Sequence, residues 1–196
     1  IIENNHVEDV DGLGGGGIAI NGGFTEINNC IIRFNTVGLN MYQLNGGGGI
    51  LCGFDFNDYT MELKVNHSEI YNNTANIGAG IGALSGNITL NHILLYENIG
   101  DYGSAISLGE PLGLVIDDIN MLILSSTIAN NHGTLSFGMI DNSTLTIANS
   151  ILWNDGEFEF TSLPNNSIIN TNIFFSDIRL LDGMDSESSI SIDPLF

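Results

Sequence analysis

Tyr71, Tyr96, Trp153 and Phe175 each follow by one residue an apolar position that recurs along the chain: Ile70, Leu95, Leu152 and Phe174. Aromatic faces stack on the apolar C–H faces of sugar rings, so a row of them at one repeat position would form a carbohydrate platform. Arg33 and Ala129 fill the other places of that row. The adjacent row, Ile31, Leu94, Ile151 and Ile173, is also apolar. The competing reading is therefore a face covered by the loops of the chain.

Two other chemistries have candidates. Asp117 and Asp118 stand together in a long stretch between repeats, and His132-Gly133 follows. Glycoside hydrolysis needs two carboxyl groups at a defined separation. The Asn-Thr-Asp and Arg-Ile-Lys motifs of the parallel β-helix galacturonan hydrolases are absent. Lyases of that fold take Arg or Lys as base, and the only basic residues here are Arg33, Lys64 and Arg179. No catalytic residue is assigned. His67 and His92 share a repeat position and would stand about 5 Å apart on neighbouring strands, but two imidazoles are an incomplete zinc set. Asp55 and Asp58, and Glu8, Asp9 and Asp11, offer loop oxygens of the kind calcium takes. Neither EF-hand spacing nor the GGxGxDxUx nonapeptide accompanies them. No metal site is assigned, and calcium is the one cofactor left open.

The elements that must position these groups come from a repeat. An apolar residue, a second one five later, and an Asn or Asp three after that recur six times. The triplets are Ile27, Ile32, Asn35; Val65, Ile70, Asn73; Leu90, Leu95, Asn98; Ile123, Ile128, Asn131; Ile147, Leu152, Asp155; and Ile169, Phe174, Asp177. Ile2 and Asn5 supply the tail of an earlier copy. Fixed spacing inside copies and variable spacing between them predicts a solenoid whose coils carry loops of different length, at about residues 36–45, 53–60 and 109–120. Within a copy, alternation as in Leu63, Val65, then Ser68, Ile70 predicts two short strands joined by a bend at Asn66-His67.

Stacked coils turn equivalent residues into columns. An end column of Asn5, Asn35, Asn73, Asn98, Asn131, Asp155 and Asp177 would form an amide ladder, as would a bend column of Asn28, Asn66, Asn91, Leu124, Ala148 and Asn170. Cys30 falls in an inward column with Ser68, Ile93, Ser126, Ser150 and Asn172, which suits a small free thiol; a disulfide to Cys52 is the alternative. Gly14 to Gly17, Gly46 to Gly49 and Gly78-Ala79-Gly80 mark tight corners, each followed by Ile. No GK[ST] or following helix makes them a phosphate loop.

The 196 residues are 43% hydrophobic and carry a formal charge of −20, so the carboxylates must cover an apolar core. That charge excludes nucleic acid, which needs Lys and Arg to displace phosphate counterions, and disfavours anionic membranes. No stretch is apolar over membrane-spanning length, so no direct membrane insertion is expected.

Ile70-Tyr71-Asn72-Asn73 and Leu95-Tyr96-Glu97-Asn98, together with Gly-Gly-x-Ile, resemble the FxxN and GGAI repeats of chlamydial polymorphic outer-membrane proteins. Similar repeats build right-handed parallel β-helices in many bacterial surface proteins. The resemblance implies an all-β, right-handed parallel β-helix of about seven coils with loop insertions over 1–196. It implies an extracellular or cell-surface scaffold, stalk or adhesin-like segment of a longer protein, more non-enzymatic than enzymatic. The alternative is a carbohydrate-binding or polysaccharide-cleaving module. Expected partners are flanking domains of the same polypeptide, neighbouring copies through open coil ends, and glycans.

Overall fold

The computed structural model describes residues 1–7, 15–38, 46–53, 61–109, 118–133, 135–139, 143–154, 158–162, 170–178 and 186–187. Among them the chain is all-β, and every strand pairing is parallel, joining a strand to its counterpart one repeat away. That is the arrangement of a β-helix or solenoid. A long-strand sheet takes Gly23–Asn28, Met61–Asn66, Gly86–Asn91, Ile119–Leu124, Ser143–Ala148, Asn170–Phe174 and Ser186–Glu187. Across a bend follows a tyrosine sheet: Ile2–Glu3, Ile31–Arg33, Glu69–Tyr71, Leu94–Tyr96, Thr127–Ala129, Ile151–Trp153 and Asp177–Ile178. The glycine segments lead into a third sheet of Ile18–Ile20, Ile50–Cys52, Ile81–Ala83, Ile106–Leu108, Leu135–Met139 and Phe158–Ser162. Of the three expected loops, residues 36–37 and 119–120 are strand, while 39–45, 54–60 and 110–117 lie outside the described residues.

Strict alternation holds in the long-strand sheet. Met61–Asn66 buries Met61, Leu63 and Val65 and leaves Glu62, Lys64 and Asn66 partly exposed, because a strand points successive side chains to opposite faces. In three strands of the third sheet it fails: Ile50–Cys52, Ile81–Ala83 and Ile106–Leu108 are buried at every residue. The glycine turn ahead of each strand folds back over that strand's outward residue. Gly47 and Gly78 sit at φ 71° and 56°. A Cβ on Gly47 would lie 2.5 Å from the Leu51 Cβ, and one on Gly78 would lie 2.7 Å from the Gly82 Cα. Glycine is required there by both the left-handed backbone and the contact.

One inward column reads Ile2, Ile32, Ile70, Leu95, Ile128, Leu152, Ile178. Its last member corrects Phe174, which instead pairs with Ala148 in the bend column in place of Asn170. The register that wins sets Ile173 beside Ile147 and Ile178 beside Leu152. It keeps β-branched residues inside and spares a column of Ile and Leu from accommodating Phe. It also places Ser176, rather than Asn172, in the column of Ser150 and Ser126, where the Ser150 amide donates to the Ser176 Oγ at 3.2 Å.

The end column is a hydrogen-bonded ladder. Asn98 shows the unit: its Oδ1 accepts from both the backbone N–H and the Nδ2 of Asn73, each at 3.0 Å. Its own Nδ2 donates to the Asn131 Oδ1 at 2.9 Å and to the Ile70 carbonyl at 3.1 Å. The same links run from Asn5 to Asn35, Asn73, Asn98, Asn131 and Asn154. Asn154 replaces the expected Asp155, which lies outside the described residues. The turn there is one residue shorter: the Asn130 amide donates to the Trp153 carbonyl, and the next amide, of Asn131, already reaches the Asn154 side chain. Asp177 is no ladder member either; it pairs with Ile151 in the tyrosine sheet. In most coils the left-handed angles belong to the residue before the ladder Asn, as at Phe34, Asn72, Glu97 and Asn130.

A second ladder runs at the other bend. Ser68, Ser126, Ser150 and Ser176 each donate from Oγ to the carbonyl two residues back, at 2.7–2.9 Å. Each Oγ accepts the backbone N–H of the preceding coil, from Cys30, Ile93, Ser126 and Ser150 respectively. Cys30 takes this position with a thiol, half-buried, and Cys52 lies buried in the third sheet. Both are free, and burial pushes the Cys52 thiol up to about 12.

Candidate functional site

The outward face of the tyrosine sheet carries the aromatic row. Strand register places Glu3, Arg33, Tyr71, Tyr96, Ala129 and Trp153 in one column. Phe175 is not in it. With Phe174 at the bend, Phe175 falls at the left-handed position that Asn149 holds one coil earlier, at φ 49° and largely exposed. The row expected from the sequence thus keeps Tyr71, Tyr96 and Trp153 and loses Phe175.

Tyr71 and Tyr96 are stacked, with ring centroids 4.6 Å apart and planes 12° from parallel. Each ring therefore covers part of a face of the other, and the pair is less a flat platform than two plates of a stack. The stack is closed at one end. Phe34 meets Tyr71 edge-on at 6.0 Å, and the Arg33 guanidinium donates to the Tyr71 hydroxyl at 2.7 Å and to Glu3 at 2.6 Å. Those two hydrogen bonds, Tyr71 first, hold Arg33 above its ordinary pKa. At the other end stands Ala129, whose small side chain leaves a step between Tyr96 and Trp153. Two strand spacings separate those rings' backbones, about 9–10 Å. Ala129 is only 6% exposed although it points outward, so its larger neighbours shelter it. Among the described residues no ring contact is made on the face of Tyr96 turned toward Ala129. Burial, and then the neighbouring Tyr71, raise the pKa of Tyr96. The face is not roofed over at its centre: Leu94, one column away, is 39% exposed.

Asp118 and His132 are not brought together. Asp118 is exposed at the entrance to Ile119–Leu124, and its carbonyl accepts the Gly86 amide. His132 follows the ladder residue Asn131 and bridges to Ile99. The two strands Ile119–Leu124 and Thr127–Ala129 intervene, so these groups sit at different corners of the coil. Asp117, Asp55, Asp58, Glu8, Asp9 and Asp11 lie outside the described residues. Among the described residues no group of three or more His, Cys, Asp or Glu is placed to hold a metal. His67 and His92 do neighbour one another at the first bend, with ring centroids 4.9 Å apart. Lys64 pairs with Glu62 at 2.8 Å and lies over the Phe24 ring, so both described basic side chains are engaged by acids. No helix among the described residues is long and apolar enough to cross a membrane.

Neither a protein-family model, nor a curated protein, nor a solved structure matches this chain.

Proposed function

We propose that the chain is a right-handed parallel β-helix of about seven coils serving as a non-enzymatic scaffold, stalk or adhesin-like element outside a bacterial cell. The observation that carries this reading is the continuous asparagine ladder from Asn5 to Asn154, which ties each coil to the next by paired amide hydrogen bonds. A solenoid so linked is a stiff rod in which each repeat contacts its neighbours. The hand is supported by the repeat resemblance and by the strong preference for right-handed crossovers between parallel strands. The seven-stranded tyrosine sheet supports the coil number. The surplus of carboxylates suits a medium rich in screening cations. Incubated with pectin, alginate or other common polysaccharides, the chain is expected to release no reducing ends. Release that Asp118→Asn abolishes would overturn the scaffold reading.

A specific observation favours a second reading, glycan binding without cleavage: the uncovered face of Tyr96 beside the Ala129 step and Trp153. On a glycan array, with and without calcium, Tyr96→Ala and Trp153→Ala should each lower any signal about two- to tenfold, the scale of one lost aromatic stack. A signal that both variants keep rejects this face as the binding surface.

The same proposal joins the rod to flanking domains or to further copies through its strand edges. Among the described residues Ile18–Ile20 and Gly23–Asn28 pair on one side only, and Phe24 is 60% exposed there. Open parallel edges template further strands, and head-to-tail stacking is a contact that does not close. Sedimentation should show mass growing with concentration. A monomer at every concentration, with those strands protected from hydrogen exchange, rules out assembly through them.

A further inference from the structure

We infer that His67 and His92 form a two-imidazole chelate for a first-row divalent transition metal, with Cu2+ and Ni2+ the favoured ions. Both residues occupy the same left-handed bend position in successive coils, at φ 49° and 53°. The His67 amide donates to the Asn91 carbonyl at 3.1 Å, which locks the two bends in register. The side chains therefore leave the backbone in the same direction, and their rings lie 4.9 Å apart, inclined by 31°. Both are exposed. Two nitrogens bound to one metal at about 2.0–2.1 Å stand roughly 3 Å apart, so a modest turn of the exposed rings makes their edges converge.

A hydrogen bond prepares one of the ligands. The Nδ1 of His92 lies 2.9 Å from the Asn91 Oδ1. An amide oxygen only accepts, so Nδ1 is the donor in this contact and Nε2 is the nitrogen left to meet a metal. Metal-binding histidines characteristically hold their second nitrogen in this way, against a carbonyl or carboxylate. The pair borders a groove of about 380 Å³ lined also by Glu69 and Ser125. The groove leaves room for the waters that complete the coordination, and Glu69 adds a favourable charge. Imidazole nitrogen selects copper, nickel and zinc over the oxygen-seeking calcium and magnesium, with affinity rising toward copper. Such a site would fasten a metal to the side of the rod without interrupting either ladder.

The test is calorimetric titration of the 196-residue chain with Ni2+ alone, in a buffer holding excess Ca2+ so that carboxylates are occupied. One Ni2+ per chain is expected. His67→Asn and His92→Asn should each weaken it about tenfold or more, and the double variant should be little worse than either. Asparagine is the conservative choice because Asn29 and Asn149 already hold this position in other coils. Ser125 occupies the same position in the coil after His92, so Ser125→His should add a third imidazole and tighten Ni2+ at least about tenfold. Binding that both Asn variants keep, binding that Ca2+ displaces, or a Ser125→His chain no tighter than the native one overturns the proposal.

Discussion

Asn98→Leu is expected to destabilise the chain by about 3–5 kcal/mol, since each buried polar group left unpaired costs about 1–3 kcal/mol. Leucine keeps asparagine's branched shape but is bulkier, so overpacking in this fully buried column adds to the loss of partners. The substitution strips the acceptor from the Asn73 N–H and Nδ2, and the donor from the Asn131 Oδ1 and the Ile70 and Tyr96 carbonyls. Asn98 is fully buried, as are Asn73 and Asn131, so water cannot replace those bonds. Part of the cost is recovered because the Asn98 backbone N–H still donates to Asn131. Urea unfolding followed by far-ultraviolet circular dichroism measures the change. A midpoint within error of the native chain would mean that the ladder is an ornament of the fold and not a support.

Leu95→Ala should cost about 2–5 kcal/mol, the range for truncating a fully buried leucine into a core that collapses only partly. Leu95 is completely buried, registered between Ile70 and Ile128, with the glycine corner at Gly80 against its tip. The corner cannot move in to fill the space, because a stacked solenoid fixes each coil from both sides. The upper half of the range is therefore expected. Leu94→Ala, one residue earlier on the outward face, is the internal control and should change stability by less than about 1 kcal/mol. Equal losses at both positions would show that the strand is turned the other way.

The all-β repeat, its inward columns through Leu152 and the asparagine ladder through Asn131 are legible in residue order alone. These are local matters. Period-two alternation and a constant five-residue step write themselves into consecutive residues, because each strand is short and buried on a known side. Residue order also places Tyr71, Tyr96 and Trp153 in one column, since that follows from the step alone. Three features needed the tertiary structure. The last coil could be read from Ile169 and Phe174 or from Ile173 and Ile178, and only stacking against Ile147 and Leu152 decided for the second, moving Phe175 out of the row. The single-residue shortening after Trp153, which makes Asn154 the ladder member, shows only when its amide is set against Asn131. The tilt of the tyrosine rings was also beyond the sequence. A column says which side chains are neighbours, whereas packing against Phe34, Arg33 and each other decides whether their faces meet solvent or one another.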